Sequence, residues 1–282
     1  MGKIDFSIIT PSRNMLQYLP CCAASIEDQV GVEHEHIVID ANSTDGTVEW
    51  LRSKERIRFI SEPDEGMYEA INKGLKMTQG NILAYLNCDE QYLPGTLAIV
   101  KDYFKKHPRT DVLFGNFLVI KQDGALICYR KSNRPRLNYL LASHLYTLTC
   151  TMFFRRKIID EQVFFNSSFR CIADLLFVIE LLKKHYVVKS LNRYLSVFMM
   201  TDHNMSLSFQ TNEEKKRLTV EMPMLRLGPI RKYIYELLRI GEKFIRGCYF
   251  EKSNLSYSIY ISGSLEKRKR LIAYRPSPFW KH

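Results

Sequence analysis

The sequence lacks the parts of several common machines. Its seven cysteines are an odd, scattered set with no Cys-x-x-Cys pair. That excludes a disulfide framework or a zinc ribbon and predicts a reducing compartment. No apolar run approaches the roughly 18 residues of a membrane span, and no signal-peptide pattern precedes the first apolar stretch, Ile4–Ile9. The expectation is a cytoplasmic protein. There is no Gly-x-Gly-x-x-Gly, P-loop or His-Glu-x-x-His, so dinucleotide-dehydrogenase, P-loop NTPase and zinc-protease chemistries are missing their residues. Acidic residues are scarce at one end. Residues 215–282 hold 16 Lys/Arg against 5 Asp/Glu, which accounts for the whole net charge of +11. The first hundred residues hold 8 basic and 15 acidic side chains. A uniformly basic nucleic-acid binder would not be built this way; an acidic head with a basic tail points to an anionic surface met by the tail.

What is present begins with alternation. Apolar runs at 4–10, 36–40, 57–60 and 82–86 read as strands. Between them, 3- and 4-residue spacing predicts helices at 18–29, after Thr44-Asp45, and from Met67 to Leu75. A βαβαβαβ order within ninety residues means a parallel sheet covered by helices, with ligand-binding groups at the carboxyl ends of the strands. Those ends carry Thr10, Asp40, the Asp64 loop and the cluster Asn87-Cys88-Asp89-Glu90. A helix at 97–105 follows. Val112–Ile120 and Ala125–Tyr129 flank Asp123-Gly124, a hairpin signal. A strand at 148–154, a helix at 171–184 and a strand at 194–199 complete the expected domain, 1–212, with halves 1–100 and 101–212. From 213 to 282 the reading is a basic, amphipathic, helical extension. The stripe Ile230, Tyr233, Ile234, Leu237, Leu238, Gly241, Phe244, Ile245 lies beside Arg231, Lys232, Arg239, Lys243 and Arg246. Residues 230–282 are read as docking on an anionic membrane, the alternative being packing on the domain or on a second subunit.

Four segments come in order: Phe6-Ser-Ile-Ile-Thr-Pro11, His36-Ile-Val-Ile-Asp40-Ala-Asn-Ser-Thr-Asp-Gly-Thr47, Ser61-Glu-Pro-Asp64-Glu-Gly-Met-Tyr-Glu-Ala-Ile-Asn-Lys73-Gly74 and Ala84-Tyr-Leu-Asn87-Cys-Asp89-Glu90. Together they resemble the nucleotide-sugar half of the family 2 glycosyltransferases. The resemblance implies a GT-A fold, a Rossmann-like, mostly parallel sheet flanked by helices. It implies that Thr10, Pro11 and Arg13 line the nucleoside pocket. Asp40 accepts a hydrogen bond from the base, Asp64 faces base or ribose, and Lys73 approaches the phosphates. Asn87-Cys88-Asp89 stands in place of the family's Asp-x-Asp. By that resemblance Asp89 binds Mn²⁺ or Mg²⁺, Asn87 reaches the ribose, and His203 is a further metal ligand. Cys88, within the nucleotide-binding stretch, is a poor ligand for a hard ion and reads as structural. Phe165-Asn-Ser-Ser-Phe-Arg-Cys-Ile-Ala-Asp174 resembles the region of the general base, which makes Asp174 the catalytic candidate. The implied activity is an inverting, metal-dependent transfer from a nucleotide-diphosphate sugar, a UDP-sugar by preference, to a saccharide or lipid-linked acceptor in cell-surface polysaccharide synthesis. Asn87 departs from the family's first carboxylate, and Ala173 replaces an acid before Asp174. Those departures keep open a non-catalytic sugar-nucleotide-binding or assembly subunit of the same fold.

Overall fold

The computed structural model describes residues 4–201, 213, 214, 216–218, 221, 225 and 227–279. The first half is the expected alternation: β1 (Phe6–Ser12), α1 (Leu19–Glu27), β2 (His34–Asp40), α2 (Thr47–Arg52), β3 (Ile57–Ser61), α3 (Met67–Met77) and β4 (Ile82–Tyr85). The second half contains β5 (Glu90–Tyr92), α4 (Thr96–Lys106), β6 (Val112–Ile120), β7 (Leu126–Arg130), α5 (Leu137–Ala142), β8 (Phe153–Arg155), α6 (Lys157–Asp160), α7 (Ala173–Lys183) and β9 (Val188–Met199). Then come α8 (Pro229–Ile245), β10 (Asn254–Ile261) and β11 (Ser264–Tyr274).

One sheet runs β3-β2-β1-β4-β8-β6-β9-β5, with β7 paired to β6. The β3-β2-β1-β4 portion is parallel throughout. Beyond β4 it is mixed: β8 is antiparallel to β4 and β6, while β6 and β9 are parallel. The central strands are buried on both faces, as parallel interior strands must be when helices cover each side. Period-two alternation divides their side chains. Phe6, Ile8, Ala84 and Leu86 meet α1 and α4 on one face; Ile9, Ile37, Ile39, Leu83 and Tyr85 meet α3, α5 and α7 on the other. Helix α3 lies so close to β1 that a Cβ on Gly74 would fall 2.5 Å from Ile9 Cγ2, so only glycine fits there.

Three expectations change. The polar cluster after β4 does not run straight into a helix; Glu90–Tyr92 first forms β5, antiparallel to β9. The strand expected at 148–154 is a single 3₁₀ turn, Thr149–Thr151, followed by the short β8. Among the described residues of the expected helical C-terminal extension, helix is found at 213, 214, 216–218 and 221 and in α8. Asn254–Tyr274 is a β-hairpin, with Gly263 in a left-handed turn conformation at its tip. Its period-two pattern was present in Leu255, Tyr257, Ile259 and Ile261, beside the charge cluster Lys267–Arg270. Tyr257 and Ile259 pack on Leu93, Leu118, Ile120, Tyr129, Val197 and Met199. Polar contacts fix the hairpin in place. Gln91 exchanges two hydrogen bonds with the Tyr260 backbone, at 2.8 and 3.0 Å. The Arg268 guanidinium grips Asp28 and donates to Tyr92 O at 2.7 Å.

Candidate active site

The carboxyl ends of β1 and β2 are tied together before any ligand is considered. Asn14 N donates to Ser43 Oγ at 2.7 Å, Thr44 N donates to Asn14 Oδ1 at 2.8 Å, and Leu16 N donates to Asp45 Oδ2 at 2.9 Å. Asp40 ends β2 and is fully buried. Its carboxylate accepts from Ser43 N at 2.9 Å, from Ser43 Oγ and from Ser61 Oγ at 2.7 Å. A carboxylate offers about four acceptor positions, so Asp40 organises this rim with three of them and keeps about one, enough for a single base N–H. Pro11 lies beside it on the rim, its carbonyl accepting from the Cys88 thiol at 3.3 Å. Arg13 is exposed. Burial pushes the Asp64 carboxyl above its ordinary value, with Arg13 and Lys73 pulling the other way. Arg13 and Asp64 therefore share one edge of the cleft.

One nucleotide-binding expectation needs correction, and a second residue has partners within the protein. Thr10 does not line an open pocket: its side chain is fully buried and its hydroxyl meets His36 Nε2 at 2.9 Å. Its place in the strand register turns it into the sheet–helix layer. The Lys73 ammonium is held by Glu62 at 3.0 Å, Glu69 at 3.2 Å and Pro63 O at 3.3 Å, so it braces the Asp64 loop. Cys88 offers no exposed thiolate to a ligand. It is buried, and burial drives its thiol pKa far up.

The cluster after β4 divides its labour. Glu90 is buried, and burial together with the neighbouring Asp89 pushes it well above the usual carboxylate range. Its Oε2 accepts from Asn87 N at 2.8 Å. Asn87 Oδ1 is buried without a hydrogen-bond partner. A buried acceptor left in that state costs about 1–3 kcal/mol, and a ligand hydroxyl would relieve it. Asp89 is half-buried and borders a cavity of about 210 Å³ lined by Tyr18, Gln91, Gln122, Met199 and Ser262 among others. The β10–β11 hairpin supplies Ser262 and closes that side.

Asp174 stands in the first turn of α7, where the helix dipole favours an anion. Leu175 N donates to its Oδ1 at 2.7 Å. Burial pushes its pKa up to about 6, and a hydrogen bond from the Tyr68 hydroxyl opposes that rise. Tyr68 also bonds Tyr85, which feels the charges of both Asp174 and Glu90. The pair of tyrosines thus links the base candidate on α7 to the strand that delivers Asp89. The approach to α7 is held from afar. The carboxylate of Glu214 accepts from the backbone N–H groups of Arg170, Cys171 and Ile172 at 2.7, 2.8 and 3.2 Å.

Tyr68 and Tyr85 sat within the quoted motifs but carried no assigned role. Glu214 and Ser262 had no local signal at all. Among the described residues no group of three or more His, Cys, Asp or Glu side chains is placed to hold a metal. His203 lies outside the described residues. The Asp89 carboxylate suits a hard cation that draws most of its ligands from phosphate, and the orphaned Asn87 carbonyl suits a ligand hydroxyl.

The profile described as "Glycosyl transferase family 2" matches residues 7–164, more than half of the chain. The chain belongs to that family and has its GT-A fold. Among curated relatives it is 28% identical over 208 residues to a PGL/p-HBAD biosynthesis glycosyltransferase of Mycobacterium bovis, covering 69% of this chain and 79% of that protein. It is 26% identical over 207 residues to the putative teichuronic acid biosynthesis glycosyltransferase TuaG of Bacillus subtilis, covering 71% and 81%. Among solved structures, S. aureus TarS 1–349 in complex with UDP-GlcNAc superposes with a TM-score of 0.62 at 20% identity, over 86% of this chain and 73% of that one. The mannosyltransferase PcManGT of Pyrobaculum calidifontis, in complex with GDP-Man and Mn²⁺, gives 0.60 at 13% identity, over 86% and 72%.

Proposed function

We propose that this glycosyltransferase is metal-dependent and inverting, and that it moves a sugar from a nucleotide-diphosphate donor, UDP-linked by preference, onto a saccharide or lipid-linked acceptor of a cell-surface glycan. Residues 1–100 bind the nucleotide and 101–212 form the acceptor side. The observation that carries the reading is Asp174: a desolvated carboxylate, hydrogen-bonded by Tyr68 and linked through Tyr85 to the strand that ends at Asp89. The teichuronic acid and PGL roles in the relatives' names support the acceptor class. The UDP-GlcNAc and Mn²⁺ complexes of the structural neighbours support the donor and the metal. All seven cysteines are free, which supports a cytoplasmic placement.

Asp89 would hold Mn²⁺ or Mg²⁺ together with diphosphate oxygens; such an ion neutralises the departing diphosphate. Asn87 Oδ1 accepts from a ribose hydroxyl, and the Asp40–Ser43–Ser61 rim with Pro11, Arg13 and Asp64 seats the nucleoside. Asp174 removes the proton from the acceptor hydroxyl while the acceptor oxygen bonds to the anomeric carbon. The bond from that carbon to the phosphate oxygen breaks on the opposite face, which inverts the centre. A base held near pKa 6 is ionised at neutral pH yet still basic enough to take a proton in the transition state.

The test is calorimetric titration of UDP with and without Mn²⁺, beside a transfer assay. Asp89→Ala should lose the Mn²⁺-dependent part of UDP binding with its melting temperature unchanged. Full Mn²⁺-dependent binding in that variant would remove Asp89 from the metal. Metal-dependent UDP binding by the unmodified protein with no turnover on any acceptor pool would favour the non-catalytic subunit instead.

A further inference from the structure

Helix α8 is docked inside out. At about 100° per residue, Ile240, Tyr233, Phe244, Leu237, Ile230, Gly241, Ile234, Ile245 and Leu238 fall on one continuous arc of about 160°. Every large side chain on that arc is exposed, from 45% at Ile240 to 86% at Ile245. The polar face meets the protein. Glu242 pairs with Arg136 at 3.2 Å and with Arg246 at 3.0 Å. Lys243 is buried, its ammonium 5.6 Å from the centre of the Tyr146 ring, and Arg239 lies over the same ring. Tyr235 packs toward Tyr139. A water-exposed helix normally turns such an arc inward, and contiguous exposed apolar surface of this kind marks an interaction site. Phe250, just past the helix, extends it.

We infer that the apolar arc of α8 seats in the interface of an anionic lipid bilayer. Charge selects this occupant. The chain's whole excess of +11 lies in residues 215–282. Arg231 borders the arc on the helix itself, and Lys267, Lys269 and Arg270 are exposed on β11. Two copies meeting through this segment would bring like charge against like charge, whereas an anionic surface attracts it, each basic residue near such a surface adding about 1 kcal/mol. The helix is 17 residues long, or about 25 Å, and no helix among the described residues is long and apolar enough to cross a membrane. It therefore lies in the plane of the interface. The inference does not depend on the transfer chemistry proposed above.

The test is co-sedimentation of the full chain with vesicles of phosphatidylcholine alone or of equimolar phosphatidylcholine and phosphatidylglycerol, beside light scattering over a range of protein concentration. The expected result is binding to the anionic vesicles that weakens as salt rises, with little binding to the neutral ones. Leu237→Glu with Leu238→Glu should lower the bound fraction roughly ten-fold or more, with circular dichroism and melting temperature unchanged, since both side chains are exposed. Arg231→Glu should weaken binding and flatten its salt dependence. Absence of binding to either vesicle overturns the inference, as does binding that the double variant leaves intact. A concentration-dependent dimer that the double variant dissolves, without vesicle binding, would assign the arc to a second copy.

Discussion

Helices α3 and α8 carry the same kind of stripe and dock in opposite senses. In α3, Tyr68, Ala70, Ile71, Gly74 and Leu75 are buried against β1 and β2, and Glu69, Lys73 and Lys76 face outward. In α8 the isoleucines, leucines and Phe244 face outward, while Glu242 and Lys243 are covered. Amphipathic spacing says that a helix has a face to be covered. It does not say whether the cover belongs to the same chain. In α3 the covered face also serves the site, because it brings Tyr68 to Asp174. In α8 the described residues leave the apolar face for something else.

The contrast can be broken at three points. The largest effect should come from Asp174→Asn, at the end of the contact that α3 makes inward. Transfer should fall by about 10²–10⁴-fold, while the donor's affinity is retained. In the unmodified protein, activity should rise with pH through about 6, the value to which burial lifts Asp174, and the Asn variant should lack that limb. Stability runs the other way. A carboxyl whose folded pKa is raised binds its proton more tightly when folded, so its ionisation opposes folding above about pH 6. The Asn variant should thus unfold at a higher denaturant concentration than the unmodified protein at neutral pH, and the gain should vanish below about pH 4. A transfer rate within a few-fold of normal would remove Asp174 as the base.

Next in size is Ile71→Ala on the inward face of α3, which should cost about 2–5 kcal/mol in urea denaturation. Leu237→Ala on α8 should stay within about 0.5 kcal/mol, as for an exposed side chain. Equal costs would mean that the α8 arc is covered within the chain. The last comparison, within α8, inverts the usual ranking of polar and apolar residues. Glu242→Ala, which takes a largely covered carboxylate away from the half-exposed Arg136 and Arg246, should cost about 1 kcal/mol, more than Leu237→Ala. The opposite order would overturn the inside-out docking.

Much of the fold was legible because its first half obeys short-range rules. Strand-length apolar runs, turn residues and helical spacing placed β1 to β4, and with them the ends at Asp40, the Asp64 loop and Asp89. The hairpin of β6 and β7 followed from Asp123-Gly124, with Gly124 at positive φ as such a turn requires. The tail was harder. Its basic residues and the stripe of α8 predict continued helix, whereas the alternation from Leu255 to Ile261 belongs to a hairpin whose apolar side is covered by distant strands. At the site, residue type and order pointed to Asp89 and Asp174 but could not distribute hydrogen bonds. Thr10 spends its hydroxyl on His36, and Lys73 spends its charge on Glu62 and Glu69. The Glu69–Lys73 spacing of four on one helix is a local signature; His36 and Glu62 have none, because folding brings them alongside.

By itself the sequence determined the alternating strands and helices, the order of acids along one sheet edge, the family, and the existence of an apolar stripe from Ile230 to Ile245. These follow from periodicity and turn chemistry, which act over a few residues. Only the tertiary structure decided which face of each helix is covered, that Glu214 holds the approach to Asp174, and that Tyr68 meets Asp174 across more than a hundred residues. Burial and hydrogen-bond satisfaction are properties of neighbours in space. The same stripe that closes the core in α3 is left facing outward in α8 because Arg136 and Tyr146 offer their contacts to its polar side.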